Sequence, residues 1–123
     1  MRAARRLRPP PDVPTLRAAL WAFWALQAAR RQLRRDGLES LRVPAPPALP
    51  GSAARGVRAV LHRRTHTCLE EALVLQRWLA AQGVRRDVVV GVRGPAEFGA
   101  HAWLDGDLAP AQAGFLELVR VSP

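Results

Sequence analysis

The stretch that decides the fold is residues 67–83, T-C-L-E-E-A-L-V-L-Q-R-W-L-A-A-Q-G. Thr67 followed three residues later by Glu70 is the pattern of a capping box, in which each side chain accepts a hydrogen bond from the other residue's backbone N–H. A long apolar run follows, and Gly83 is typical of the residue just past a helix end. The sequence therefore predicts a helix over residues 68–82 that begins at Cys68.

Three strands are predicted after this helix. Residues 87–93, D-V-V-V-G-V-R, are rich in β-branched side chains, as in a strand that is buried on both faces. Residues 97–104 and 115–121 predict a second and a third strand, and Asp105-Gly106 is a hairpin-turn signal after the second. Helices followed by antiparallel strands indicate an α+β fold, with N-terminal helices packed on a small antiparallel sheet.

The N-terminal part is predicted to be helical. We expect Thr15 to cap a helix that runs to about Arg35, ends at Asp36-Gly37, and packs through a face that contains Leu16, Leu20, Phe23 and Gln27, with Trp21 and Trp24 beside it. Residues 43–52, V-P-A-P-P-A-L-P-G-S, form a proline-rich link, and residues 53–63 a second helix with Val57, Val60 and Leu61 inward. Residues 1–52 are thus a helical region with its link, and residues 53–123 a core, within one compact domain.

The amino-acid composition limits the kinds of partner that the protein can bind. The 123 residues carry a net charge of +9 from 19 basic and 10 acidic side chains, which favours an anionic partner. The pattern of exposed aromatic and arginine side chains that is typical of nucleic-acid-binding modules is missing.

A single cysteine excludes an intramolecular disulfide framework and fits a reducing, cytoplasmic location. The apolar stretch 16–29 is shorter than the ~20 residues that span a bilayer, so we expect no stable membrane insertion. We also expect the protein to need no cofactor.

Cys68 has the surroundings of a nucleophile. At the first position of a helix, unpaired backbone N–H groups and the positive end of the helix dipole favour a thiolate. The same N–H groups could bind the oxyanion that forms when a carbonyl is attacked. A structural cysteine is usually buried among apolar neighbours, whereas Cys68 lies between a capping threonine and two acids.

His101 is the predicted base. It lies in F-G-A-H-A-W on the second strand, where it shares one face with Trp103 while the flanking alanines take the other. His62 and His66 lie four residues apart, just before Cys68. Because all four side chains are zinc-ligand types, a metal site is an alternative, although no second cysteine or close acid completes a compact motif.

The segments C-L-E-E-A-L-V-L-Q-R-W-L-A-A-Q-G-V, V-V-V-G-V-R and F-G-A-H-A-W-L-D-G-D resemble the leader peptidases of lasso-peptide biosynthesis, over about residues 65–107. That family has a transglutaminase-like, papain-like fold, with its cysteine opening a helix and its histidine in an A-H-A-W strand. The resemblance implies a cysteine peptidase, with Cys68 and His101 catalytic and no metal, that removes the leader from a lasso-peptide precursor. It also implies three partners: the precursor leader peptide, a small leader-recognition protein and a separate lasso cyclase.

The third catalytic residue departs from the family pattern. The resemblance implies an acid about a dozen residues after the histidine, near Ala113, but residues 108–114 contain none. Asp107 is the first candidate to orient the imidazole, followed by Asp105 and by Gln112 as an amide.

Two alternatives stay open at this stage. The chain could be a non-catalytic or metal-binding scaffold that docks peptides or the cyclase in the same biosynthetic complex. Within the enzyme class, amide transfer and hydrolysis pass through the same acyl-enzyme, and the sequence does not separate them.

Overall fold

The computed structural model describes residues 10, 12–93, 99–106 and 115–123. Three helices precede three strands, which is the α+β order that the sequence predicts. The elements are α1 (Val13–Arg35), a short 3-10 turn (Gly51–Ala53), α2 (Ala54–Arg63), α3 (Cys68–Ala81), β1 (Val88–Arg93), β2 (Gly99–Leu104) and β3 (Leu116–Val121). None of the described helices is long and apolar enough to cross a membrane.

Helix α3 begins and ends as predicted. The backbone N–H of Glu70 donates to Oγ1 of Thr67 at 3.1 Å, and the backbone N–H of Thr67 donates to Oε1 of Glu70 at 2.9 Å. Both bonds of the capping box are therefore present, and Cys68 is the first helical residue. Gly83 has a φ of +84°, a left-handed conformation that glycine adopts without steric cost just after a helix.

The sheet has the order β2-β1-β3, and β1 is antiparallel to both neighbours. Val88 and Val89 of β1 are both buried, as the β-branched run predicts. Asp105 and Gly106 do form a turn after β2, but β3 pairs with β1, so the expected hairpin between the second and third strands is wrong. Since a central strand has backbone donors and acceptors on both edges, β3 pairs with the edge of β1 that β2 leaves open.

The predicted packing face of α1 is wrong. Leu16, Leu20 and Trp24 are exposed, and the helix instead packs through a face that is rich in alanine. Small side chains let α1 approach α2 closely: a Cβ added to Gly56 would lie 2.2 Å from the carbonyl oxygen of Thr15. A face of leucines could not come this near. The buried hydrophobic residues of α1 are Ala18, Trp21, Ala22, Ala25, Leu26 and Ala29.

The cap of α1 also differs from the prediction. Asp12, not Thr15, is the N-cap, because its Oδ1 accepts a hydrogen bond from the backbone N–H of Thr15 at 2.9 Å. Proline at position 14 is compatible with the first helical turn, where its missing N–H would have no helical partner. The other end is as predicted, with Asp36 as C-cap and Gly37 at a φ of +74°.

One hydrophobic core joins the three helices to the first two strands. It includes buried residues of α1, α2, α3, β1 and β2, together with Val43 of the proline-rich link. The indole N–H of Trp21 donates to the carbonyl oxygen of Pro44 at 3.1 Å, which ties the link to α1. In α2, Val57 and Leu61 are buried as predicted.

Candidate active site

Cys68 is an exposed free cysteine at the start of α3. Thr67 occupies two N–H groups of the first turn: its Oγ1 accepts from Glu70, and its carbonyl oxygen accepts from Glu71 at 3.0 Å. The N–H groups of Cys68 and Leu69 precede this first intrahelical bond. They are therefore placed to stabilise negative charge beside the thiol.

A clamp from α1 holds the residues on both sides of Cys68. Nε of Arg30 donates to Oε2 of Glu70 at 2.9 Å, and a guanidinium N–H donates to the carbonyl oxygen of Thr65 at 2.8 Å. Glu70 is only 4% exposed. Burial raises the pKa of Glu70, but hydrogen bonds from Arg30 and Thr67 outweigh it and hold this pKa below its ordinary value. Sequence analysis did not predict this contact, since Arg30 and Glu70 lie 40 positions apart.

We expect Glu70→Gln to lower the free energy of unfolding at pH 7 by about 1.5–3 kcal/mol, the usual contribution of a hydrogen bond to a charged group. A lowered pKa in the folded state means that the carboxylate stabilises the fold above its unfolded pKa. This contribution is lost as the pH falls through the folded pKa. The deficit of the variant should therefore shrink below about pH 4. Thermal unfolding at several pH values measures it.

Glu39→Gln is the matched control for this prediction, because Glu39 is exposed. It should leave the unfolding temperature nearly unchanged at every pH. A deficit of Glu70→Gln that stays constant from pH 7 to pH 3 would contradict the role of the charged clamp.

Cys68 and His101 line the same cleft between α3 and β2. The cleft has a volume of about 140 Å³. Its described lining comprises Cys68, Glu71, Ala72 and Leu75 of α3 together with His101, Ala102, Trp103 and Leu104 of β2. The structure thus places on one cleft the two residues that the sequence singled out as nucleophile and base.

His101 is held in an aromatic cluster. Its ring stacks on Trp103 with centroids 5.6 Å apart and lies 5.5 Å from the ring of Phe115. His101 is paired with Gly91 of β1, where an added Cβ would lie 2.8 Å from the Trp103 ring. The absence of a side chain at Gly91 therefore makes room for the stack. The alternation of β2 is as predicted, since Ala102 is buried in the core while the ring of His101 packs on Trp103.

The other two histidines differ in their surroundings. His62 is exposed near the end of α2. His66 has Nδ1 2.6 Å from the carbonyl oxygen of Arg64, and its Nε2 lies 3.5 Å from Oε1 of Glu71, which lines the cleft. Sequence analysis missed this contact between His66 and Glu71. Across the described residues, no three His, Cys, Asp or Glu side chains lie close enough to hold a metal ion.

Of the three candidates for the third catalytic residue, the structure describes only Asp105. Asp107 and Gln112 are outside the described residues. Asp105 follows the end of β2, four residues after His101, which is about 13 Å at the usual rise of a strand. Its carboxylate accepts from Arg120 at 2.8 Å, and this hydrogen bond lowers the pKa of Asp105. Glu117, which shares the cross-strand row of His101 through β1, is also bound to Arg120 at 2.8 Å.

Comparison with known proteins agrees with this fold. A family model described as the transglutaminase-like superfamily matches residues 12–114, a range that contains both Cys68 and His101. No curated protein and no solved structure matches the chain significantly. Because the family model covers most of the chain, from α1 through β2, the protein belongs to the transglutaminase-like superfamily.

Proposed function

We propose that the protein is a cysteine peptidase in which Cys68 is the nucleophile and His101 the general base. The observation that carries this proposal is the shared cleft, which is lined by both the first residue of a helix, Cys68, and a strand histidine in a member of this superfamily. The superfamily includes cysteine peptidases, and an exposed thiol at a helix start has the surroundings that such chemistry needs.

The proposed reaction follows from these positions. His101 accepts the thiol proton, and the sulfur of Cys68 attacks the scissile carbonyl carbon. The N–H groups of Cys68 and Leu69 stabilise the resulting oxyanion. When the C–N bond breaks, His101 returns the proton to the leaving amine, which leaves an acyl-enzyme. His101 then accepts a proton from water, which attacks the thioester carbonyl and releases the carboxylate product and the thiol.

We further propose a lasso-peptide precursor as the substrate, with its leader peptide removed in the cytoplasm. The support is the resemblance of the Cys68 helix, the valine-rich strand and the A-H-A-W strand to leader peptidases of lasso-peptide biosynthesis. A small leader-recognition protein and a lasso cyclase are the proposed partners. Each of β2 and β3 pairs only with β1 among the described strands, so an extended peptide could add to either outer edge.

Leader cleavage is expected to be poor with the isolated protein and to rise strongly when the recognition protein is added. The net charge of +9 should steer an acidic leader to the complex, so the gain should fall at high ionic strength. Mass spectrometry of a precursor peptide, with and without the recognition protein at two salt concentrations, measures both effects. Full activity of the isolated chain that is insensitive to both would contradict the need for a partner.

The same experiment in H₂¹⁸O separates hydrolysis from amide transfer. Hydrolysis places one ¹⁸O atom in the new carboxylate of the leader fragment, because water resolves the acyl-enzyme. Transfer to an added amine gives an amide without ¹⁸O. An amide as the main product would contradict the peptidase and favour a transferase with the same nucleophile.

A further inference from the structure

The face of α1 that points away from the core is apolar over its first three turns. Its large side chains recur every three or four residues, which places them in one stripe along the helix. They are Val13 (68% exposed), Leu16 (49%), Leu20 (71%), Phe23 (37%) and Trp24 (58%). Such a contiguous exposed patch is typical of an interaction site. We call the side of α1 that contains these residues the α1 outer face.

The same face becomes basic towards the end of the helix. At 3.6 residues per turn, Arg31 follows the line of Leu20 and Trp24, with the exposed Arg34 and Arg35 on either side. No acidic residue occurs within α1. The α1 outer face therefore has two halves along an axis of about 35 Å. One half is cationic, and the other is mostly apolar, although it contains Arg17 and the Arg64 guanidinium lies over its Phe23 ring at 4.6 Å.

We propose that the α1 outer face binds a segment of a partner protein that presents an apolar stripe with a cluster of Asp or Glu at one end. The apolar side chains would cover Leu16, Leu20 and Trp24. The carboxylates would lie against Arg31, Arg34 and Arg35, where charge complementarity fixes the direction of the segment. This proposal does not depend on the peptidase activity, because it concerns a different surface.

The charge pattern disfavours a second copy of the chain as the occupant. Two α1 outer faces laid parallel would place one arginine cluster against the other. Laid antiparallel, they would place each cluster against the apolar half of the partner. Both arrangements bury cationic groups without anionic partners, which is costly.

A lipid surface is also a poorer fit than a protein segment. A helix that lies on an anionic membrane carries its basic residues along both sides of the apolar stripe, where they reach the head groups. In α1 the exposed arginines 31, 34 and 35 continue the stripe at one end, and only Arg17 interrupts its apolar half. This arrangement matches an elongated ligand with an apolar end and an acidic end.

The test uses the full chain and two labelled synthetic 18-residue peptides, with binding measured by fluorescence anisotropy. Both peptides carry Leu and Phe at helical spacing, and one ends in three Glu where the other has three Gln. We expect the Glu peptide to bind at least tenfold more tightly. Leu20→Gln should weaken both peptides at least tenfold, whereas Val84→Thr, an exposed valine (39%) between α3 and β1, should weaken neither.

The arginines are tested by the double variant Arg34→Gln/Arg35→Gln. It should weaken the Glu peptide at least fivefold and leave the Gln peptide unchanged, while Arg63→Gln, exposed on α2, should affect neither. Circular dichroism should show unchanged helix content in all variants, because each replaced side chain is exposed.

Four outcomes would overturn the proposal. The first is binding that Leu20→Gln does not weaken, and the second is equal affinity for the Glu and Gln peptides. The third is tighter binding to vesicles containing phosphatidylserine than to the Glu peptide, lost in Leu20→Gln, which would assign the face to a membrane. The fourth is dimerisation in sedimentation equilibrium that Leu20→Gln abolishes, which would assign it to a second copy.

Discussion

Cys68→Ala is expected to abolish precursor cleavage while leaving the unfolding temperature almost unchanged. Removal of the sulfur leaves no nucleophile to form the acyl-enzyme, because Cys68 is the only cysteine of the chain. Stability should change by less than about 0.5 kcal/mol, since the side chain is exposed and alanine is a good helix former. Mass spectrometry of the precursor and a thermal scan of the same sample measure the two quantities.

Alkylation provides an independent measure of the same residue. Iodoacetamide should modify the wild-type protein once, because Cys68 is exposed and is the only cysteine of the chain. Alkylated protein should be as inactive as Cys68→Ala. If cleavage persists in both samples, the peptidase assignment is wrong. A non-catalytic scaffold that docks peptides would then account for the fold.

His101→Ala is expected to lower the cleavage rate by about 10²–10⁴-fold, the usual contribution of a general base. The variant loses the only histidine among the residues that line the described cleft. Affinity for the precursor should change much less than the rate, which single-turnover kinetics separate from binding.

His62→Ala is the matched control, because His62 is exposed on α2 and should leave the rate nearly unchanged. His66→Ala is the sharper comparison. His66 is close to the carboxylate of Glu71 in the cleft, so it has the acid partner that the described surroundings of His101 lack. If His66→Ala is as damaging as His101→Ala, the pair of His66 and Glu71 is the working base and our assignment is wrong.

Local sequence was sufficient to predict helix α3 and the position of the Cys68 thiol at its start. The capping box at Thr67 and Glu70 involves residues three apart, so its chemistry is visible without the rest of the chain. The strand alternation that separates His101 from Ala102 is likewise a local property of the backbone. The α+β order and the buried central strand followed from the same kind of short-range pattern.

Tertiary structure alone decided what those local elements pack against. Helix α1 has apolar residues on two sides, and the close approach of α2 at Gly56 selects the alanine face and leaves Leu20 and Trp24 exposed. The strand order could not be predicted from the turn at Asp105, because β3 could pair either with β2 or with the free edge of β1, and it pairs with β1. The bond from Arg30 to Glu70 joins positions 40 residues apart. Sequence periodicity reports which residues share a face, whereas the choice between two apolar faces, two sheet edges or several arginines depends on contacts that exist only after the chain has folded.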